Sequence, residues 1–396
     1  MSKEQFLNEL GKLRVYDAHT HLVGAELRAK SFWEIVHYFW FLRELFGAGY
    51  PENFAELDED KRADEFLRAF NKTKSTGMNF AVRSIFKDLY GLEFTDKKSI
   101  YTGIEMVKAS SSKDGWQKEV AAKGNIIHMA INDEEPVEFE GLEKGACIWY
   151  PRIDWPLIAA VKRIAETEPA KRQAAAEKER DEFIKLLTGY YNKGARAFMS
   201  TIDNLRKKTW NNSGEALSDW DDCFTYMLHA ICKFAEERKM GLQFFLGIER
   251  REYFRGAAPV DYSSRVINLY GLFEMYNINF DLVTGAEGSN MDLVQAGHNF
   301  TKVYVGGMWW FNFRPSTFLD AMAKRFEALA SNKSYLSISD SRCIEWCYGK
   351  NALIRKLTGD FLVRKIDEGF VNQNEALAIA EDWLYNSARN LYGGNL

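Results

Sequence analysis

Proline is scarce in this chain, with seven among 396 residues, and no stretch is dominated by glycine, serine or charge of one sign. Low-complexity linkers and internal repeats are therefore not expected. Cysteine is no better suited to a cross-linked scaffold. Cys147, Cys223, Cys232, Cys343 and Cys347 form an odd set without CxxC spacing, which excludes a disulfide framework and a zinc ribbon. Long apolar runs are also missing: no window reaches the roughly 18 uncharged residues that a membrane span needs. The opening stretch MSKEQFLNELGKLRVYDAH breaks every apolar run with charge, so no signal-peptide core of about 7–15 residues is expected there, and the expected location is cytoplasmic. Basic charge is not in excess. A net charge of -4 and a pI near 6.0 argue against a nucleic-acid partner, because phosphate binding needs a basic surface.

What is present is an ordinary globular composition, 46% hydrophobic and 27% charged, with an aromatic content of 14% that includes eleven tryptophans. Most of these rings are expected in the core, and some can serve as faces for sugars. Eight short β-rich runs are separated by helical patterns: Arg14–Asp17, Asn125–Ile131, Ala146–Tyr150, Ala195–Ser200, Leu242–Leu246, Asn279–Val283, Lys302–Val305 and Tyr335–Ile338. Most are continuously apolar, as strands of a parallel sheet covered by helices must be. Helical spacing is plain over Lys171–Tyr191, Asp219–Arg238 and Asn374–Tyr392. The expected fold is α/β, a (β/α)8 TIM barrel. Residues 23–120 break the rhythm with mostly helical, aromatic-rich sequence. They are expected to form a helical lid insertion after strand 1, the barrel comprising 1–22 and 121–396.

Asp17-Ala18-His19-Thr20-His21 follows the first strand, and only six histidines occur in the chain. Residues two apart on a strand project to the same side, so both imidazoles can reach one divalent ion. In a closed barrel the last strand neighbours the first. Asp340, in Ser339-Asp340-Ser341-Arg342, can then supply a carboxylate, although an aspartate capping a helix reads equally well.

These runs, with His37-Tyr38-Phe39-Trp40-Phe41-Leu42-Arg43 and Gly307-Met308-Trp309-Trp310-Phe311-Asn312, resemble in order and approximate spacing the signatures of the uronate isomerases of the amidohydrolase superfamily. Weaker similarity lies in Asn132-Asp133-Glu134-Glu135-Pro136, in Arg152-Ile153-Asp154 and in Asn386-Ser387-Ala388-Arg389-Asn390-Leu391-Tyr392. The resemblance implies His19, His21 and Asp340 as ligands of one divalent metal, zinc being expected. It implies Asp340, Tyr38 and His37 as catalytic groups, and Arg342, Arg152, Arg250, Trp309 and Trp310 as substrate-binding groups. The implied substrate is a sugar acid, and a homo-oligomer is a family-level expectation.

The implied chemistry suits the residues: arginine forks clamp a uronate carboxylate, a metal polarises its carbonyl end, and a carboxylate shuttles the proton. Each has a plainer alternative. Tyr38 and His37 lie in a dense aromatic stretch that packing alone would explain, and Arg152 and Arg250 suit solvated loops, with Glu249 a simple ion-pair partner for Arg250. The sequence also departs from the family: Phe245 stands where an active-site histidine is expected, Met199 where an aspartate is expected, and Thr284 where relatives in the superfamily use a further histidine. A binuclear site is therefore not expected. His128 is a candidate compensating group, or a core histidine. Three functions remain in view: a hexuronate aldose–ketose isomerase, a mononuclear metal-dependent hydrolase or decarboxylase, and a non-catalytic barrel that binds a sugar acid.

Overall fold

The computed structural model describes residues 2–23, 27–133, 135–136, 142–202, 205–210, 217–249, 258–259 and 266–393. The strands are β1 (Val15–Thr20), β2 (Ile126–Ile131), β3 (Cys147–Trp149), β4 (Ala197–Thr201), β5 (Gly241–Leu246), β6 (Ile248–Glu249), β7 (Ala258–Pro259), β8 (Phe280–Thr284) and β9 (Val303–Met308). Up to β2 the helices are α1 (Lys3–Gly11), α2 (Phe32–Val36), α3 (Phe39–Gly47), α4 (Glu59–Lys72), α5 (Gly77–Ser84), α6 (Lys97–Ser111) and α7 (Trp116–Lys123). Beyond it come α8 (Asp154–Ala165), α9 (Arg172–Asn192), α10 (Trp220–Glu237), α11 (Tyr270–Met275), α12 (Asn290–Asn299), α13 (Pro315–Ala328), α14 (Ile344–Asp367), α15 (Gln373–Glu381) and α16 (Ser387–Tyr392). Among the described residues no helix is long and apolar enough to cross a membrane.

The chain divides into two compact units, one of Met1–Met129, Val137–Cys147 and Ser339–Leu377, the other of Ala130–Pro136, Ile148–Ile338 and Ala378–Leu396. Strands β1, β2 and β3 are hydrogen-bonded in that order, β2 and β3 each beginning in the first unit and ending in the second. In the first unit, α1 starts on a capping box in which the Ser2 and Gln5 side chains each bond the other's backbone N–H. The helices after β1 gather Phe32, Phe66, Phe70, Phe86 and Phe94 into one aromatic cluster with centroids 4.6–5.8 Å apart. Burying each such ring stabilises the unit by about 1.5–3 kcal/mol. Helix α5 runs on into a π turn, Ile85–Leu89, against which α14 packs. Gly349 makes that approach possible: a Cβ there would lie 2.7 Å from the Ile85 side chain and 2.8 Å from the Ala81 carbonyl oxygen.

In the second unit, β4, β5, β8 and β9 form a parallel sheet, with Met199 opposite Gln243, Phe245 opposite Val283 and Asp281 opposite Tyr304. Alternation along the strands separates two faces. Phe198, Leu242, Phe244, Leu246, Phe280, Leu282, Val303 and Val305 enter the core shared with α8–α12, which are rich in Leu, Ile, Val and Phe. Met199, Gln243, Phe245, Asp281 and Val283 alternate with them and lie outside that core.

Seven of the eight expected strands are present with ends shifted by at most three residues, and the α/β reading holds. The eighth, Tyr335–Ile338, is a correction: it is extended chain rather than a strand. Tyr335 N–H and Leu336 C=O still bond β9, at Val305 and Met308, but the Leu336 N–H goes to the Trp383 carbonyl instead of a strand. The predicted helices over 171–191 and 219–238 are α9 and α10, whereas Asn374–Tyr392 is α15 and α16 joined by a second π turn, Asp382–Asn386.

Candidate metal centre

All six residues of β1 are buried, including Asp17 and His19. Asp17 is held by the Ser339 N–H (2.8 Å, to Oδ1) and the Asn351 side-chain amide (3.3 Å, to Oδ2). The first of these fastens the Ser339–Ser341 segment to β1 and the residue after it, as do Asp340 N–H to the His19 carbonyl (3.0 Å) and His21 N–H to the Ser341 carbonyl (2.8 Å). Asp340 has φ +54°, a left-handed conformation that aspartate tolerates better than most residues at a cost of about 1–3 kcal/mol. The surrounding bonds hold it there and aim its carboxylate at both histidines: Oδ1 lies 3.4 Å from His19 Nε2 and 3.0 Å from His21 Nε2.

The two imidazoles meet edge to face, with centroids 4.9 Å apart. The three potential donor atoms all lie within 4.8 Å of one another. Ligand arms of about 2.0–2.1 Å in a tetrahedron are separated by roughly 3.4 Å, so this spacing and this N,N,O set fit one zinc-like ion. Burial alone would raise the Asp340 carboxyl, but hydrogen bonds from His19 and His21 hold it well below the usual carboxylate range.

Behind the carboxylate lies a second buried layer. The Tyr38 hydroxyl donates to the Asp340 backbone oxygen (2.8 Å) and accepts from the Lys350 ammonium (2.8 Å), which also bonds the Ser339 carbonyl. Burial pulls the Lys350 ammonium down to about 8 and pushes the Asp17 carboxyl up to about 6. Trp40 Nε1 approaches Asp340 Oδ2 at 3.5 Å.

No protein-family model and no curated protein matches this sequence. Solved structures do. The uronate isomerase of Thermotoga maritima superposes with a TM-score of 0.82 at 15% identity, over 98% of this chain and 97% of that one. Glucuronate isomerase from Caulobacter crescentus gives 0.81 at 14% identity over 100% and 94%. The uronate isomerase of Bacillus halodurans gives 0.79 at 16% over 99% and 96%. The chain has the uronate isomerase fold.

On that uronate isomerase fold the first unit brings together His19, His21, Asp340 and Tyr38. Arg342 is exposed nearby in sequence, its guanidinium 5.7 Å from the Phe39 ring centre. His37 points into the helical packing: its Nε2 pairs with the Tyr50 hydroxyl (2.9 Å), and its ring stacks on Trp33. Burial, with the positive Arg62 nearby, drops its pKa to about 3, which keeps it neutral. His128 is half-buried and stacks on Tyr16 at 5.2 Å.

In the second unit Arg152 forms a two-point bridge to Asp154, 2.7 Å on each arm, and lies 5.5 Å over the exposed Trp155 ring. Trp309 is buried edge-to-face against Phe245 at 4.7 Å, and its indole N–H has no hydrogen-bond partner among the described residues. Trp310 is half-buried with φ +49°, in a turn that Asn312 fixes by donating to the Thr284 carbonyl (2.8 Å). Thr284 is itself buried. Arg250 lies outside the described residues.

Lys350 and Asn351 escaped the sequence reading, and Asp17 and Trp40 were noticed without being given a role. Asp17 carried a signal, since it sits two residues before His19 on the same strand face. Lys350 carried none: only the packing of α14 distinguishes it from an exposed lysine such as Lys356.

Proposed function

We propose that this chain is a metal-dependent aldose–ketose isomerase of a hexuronate, converting glucuronate to fructuronate or galacturonate to tagaturonate. The observation that carries the reading is the convergence of His19, His21 and Asp340 on one point in a chain with this fold. Those three residues would hold one divalent ion, zinc by the donor set. When bound, the ion supplies Lewis-acid polarisation of the sugar's carbonyl and hydroxyl oxygens.

The reaction is internally balanced. C2 loses a proton and its hydroxyl becomes a carbonyl, while C1 gains a proton and its carbonyl becomes a hydroxyl. Asp340 moves the proton from C2 to C1. Tyr38 and Lys350 fix its backbone, so they are positioning residues. Arg342, Arg152 and Arg250 are the candidate forks for the uronate carboxylate, and Trp309 and Trp310 the candidate faces for its ring.

A second reading rests on Phe245 and Met199, both buried where a uronate site would carry polar groups. Loss of those polar groups would favour a less polar substrate and a mononuclear metal-dependent hydrolase or decarboxylase. The test is to incubate the zinc-loaded protein with glucuronate or galacturonate, follow ketose formation, and repeat with Asp340→Asn. Ketose from either acid, reduced by about 100-fold or more in the variant, is expected. Bound zinc without turnover of either acid overturns the isomerase in favour of the second reading. Failure to take up zinc favours a binding barrel without catalysis.

A further inference from the structure

We propose that a cavity of about 480 Å³ in the helices of the first unit is a binding site for a small amphipathic carboxylic acid, its apolar body on Phe80 and Leu92 and its head held by Lys74 and Arg83. The cavity lies between the end of α4, helix α5, the π turn and the segment around residues 92–95, and its size falls within the range of small-ligand pockets. Its floor is the packed cluster of Phe70, Phe86 and Phe94, each almost wholly buried, with Phe94 5.2 Å from Phe70 and 4.6 Å from Phe86, so the apolar surface open to a ligand is that of its partly exposed neighbours. Half-buried Phe80 and Leu92 supply this surface. Helical π turns recur where a helix serves a site, because the extra residue re-aims side chains, and here Phe86, Lys87 and Asp88 of that turn all line the space.

The charged groups of the lining select the sign of the ligand. Of its two carboxylates, Glu93 lies 3.5 Å from Lys87, and Asp88 accepts a hydrogen bond from the Tyr348 hydroxyl at 3.0 Å. Lys74 makes no ion pair among the described residues, and Arg83 bonds only neutral groups, the Asn79 side chain (2.9 Å) and the Lys74 carbonyl (3.5 Å). The lining thus carries three cations, Lys74, Arg83 and Lys87, against the two carboxylates Asp88 and Glu93, an excess of one positive charge beside the apolar surface. A polyhydroxylated sugar acid is a poor fit, because its hydroxyls would lose water against apolar side chains that return no hydrogen bond. An acid with an apolar body meets both halves of the lining.

The test titrates 4-phenylbutyrate and its uncharged analogue 4-phenylbutanol into the full chain, by calorimetry and ligand-observed NMR. The two ligands are compared in wild type, in the double variant Lys74→Glu/Arg83→Glu and in Lys74→Met, all at exposed side chains. The acid is expected to bind about tenfold or more tightly than the alcohol, and charge reversal to abolish that preference while leaving the alcohol's affinity unchanged. Lys74→Met, which removes one charge, reads the same preference at reduced size should the double variant fail to fold. The proposal is overturned if wild type binds neither compound at millimolar concentration, if acid and alcohol bind equally, or if the preference survives loss of the cations.

Discussion

Asp340 in the first unit and Asp281 in the second are both buried carboxylates with several hydrogen-bond donors, yet their surroundings treat them in opposite ways. Asp340 faces two imidazoles from a left-handed backbone, and its carboxyl is held well below the usual range. Asp281 sits in the regular β8 and receives Tyr335 Oη (2.6 Å), Tyr392 Oη and Gln243 Nε2 (2.9 Å), with burial pushing its carboxyl up to about 6. Its second oxygen is buried without a hydrogen bond among the described residues, and a Cβ on Gly306 would come within 2.6 Å of that atom. Neutral donors around a carboxylate tie elements together, here β5, β8 and α16. Imidazoles converging on one carboxylate oxygen, at some backbone strain, make a cation site. The donors and the backbone, rather than burial, separate a structural aspartate from a functional one.

The sharpest way to break that contrast is at the metal. His19→Ala is expected to weaken zinc binding by about 1000-fold, roughly 4 kcal/mol, whereas Asp281→Asn should leave it within about twofold, by competition with a chelating dye. Equal losses in the two variants would erase the distinction.

The next effect lies in stability against pH. Because the folded Asp281 carboxyl titrates near 6 rather than 3.8, the folded state keeps a proton between those values that the unfolded chain has released. Stability therefore falls as pH rises through about 4 to 6 and levels off above, a loss of about 3 kcal/mol from this group. Urea unfolding of wild type and Asp281→Asn from pH 4 to pH 7 should show a decline about 3 kcal/mol smaller in the variant, which keeps the like contribution of Asp17, whose carboxyl is also pushed up to about 6; parallel curves would count against it.

The smallest effect belongs to the layer behind Asp340. Lys350→Met removes the donor to Tyr38 and to the Ser339 carbonyl, and should weaken zinc binding by about tenfold, or 1.4 kcal/mol. Zinc affinity equal to wild type would mean that this lysine fills space rather than positions the ligand.

The strand–helix alternation was legible because sheet strands covered by helices are written as unbroken apolar runs, as in Leu242–Leu246. His19 and His21 were legible because their spacing carries its own geometry. Asp340 was only weakly legible, from its place after the last apolar run with a helix cap as an equal alternative, and gained its role from the resemblance, since a left-handed turn after an extended segment has no periodic signature. Tyr335–Ile338 read as a strand because its side chains are buried like one, while its backbone partners, Trp383 among them, are set by chain far away in sequence. The second layer was invisible for the same reason: Lys350 meets Tyr38 across 312 residues.

Gly349 gives α14 an angular index. Any side chain there would run into Ala81 and Ile85, so this one position of α14 has to stay bare for the helix to lie where it does along α5. Lys350, one step further round, is delivered to Tyr38 like a tooth on a keyed shaft. A methyl group at position 349 would act as a cam, rotating the ammonium off its seat and detuning the histidine–aspartate cluster without altering a single polar atom.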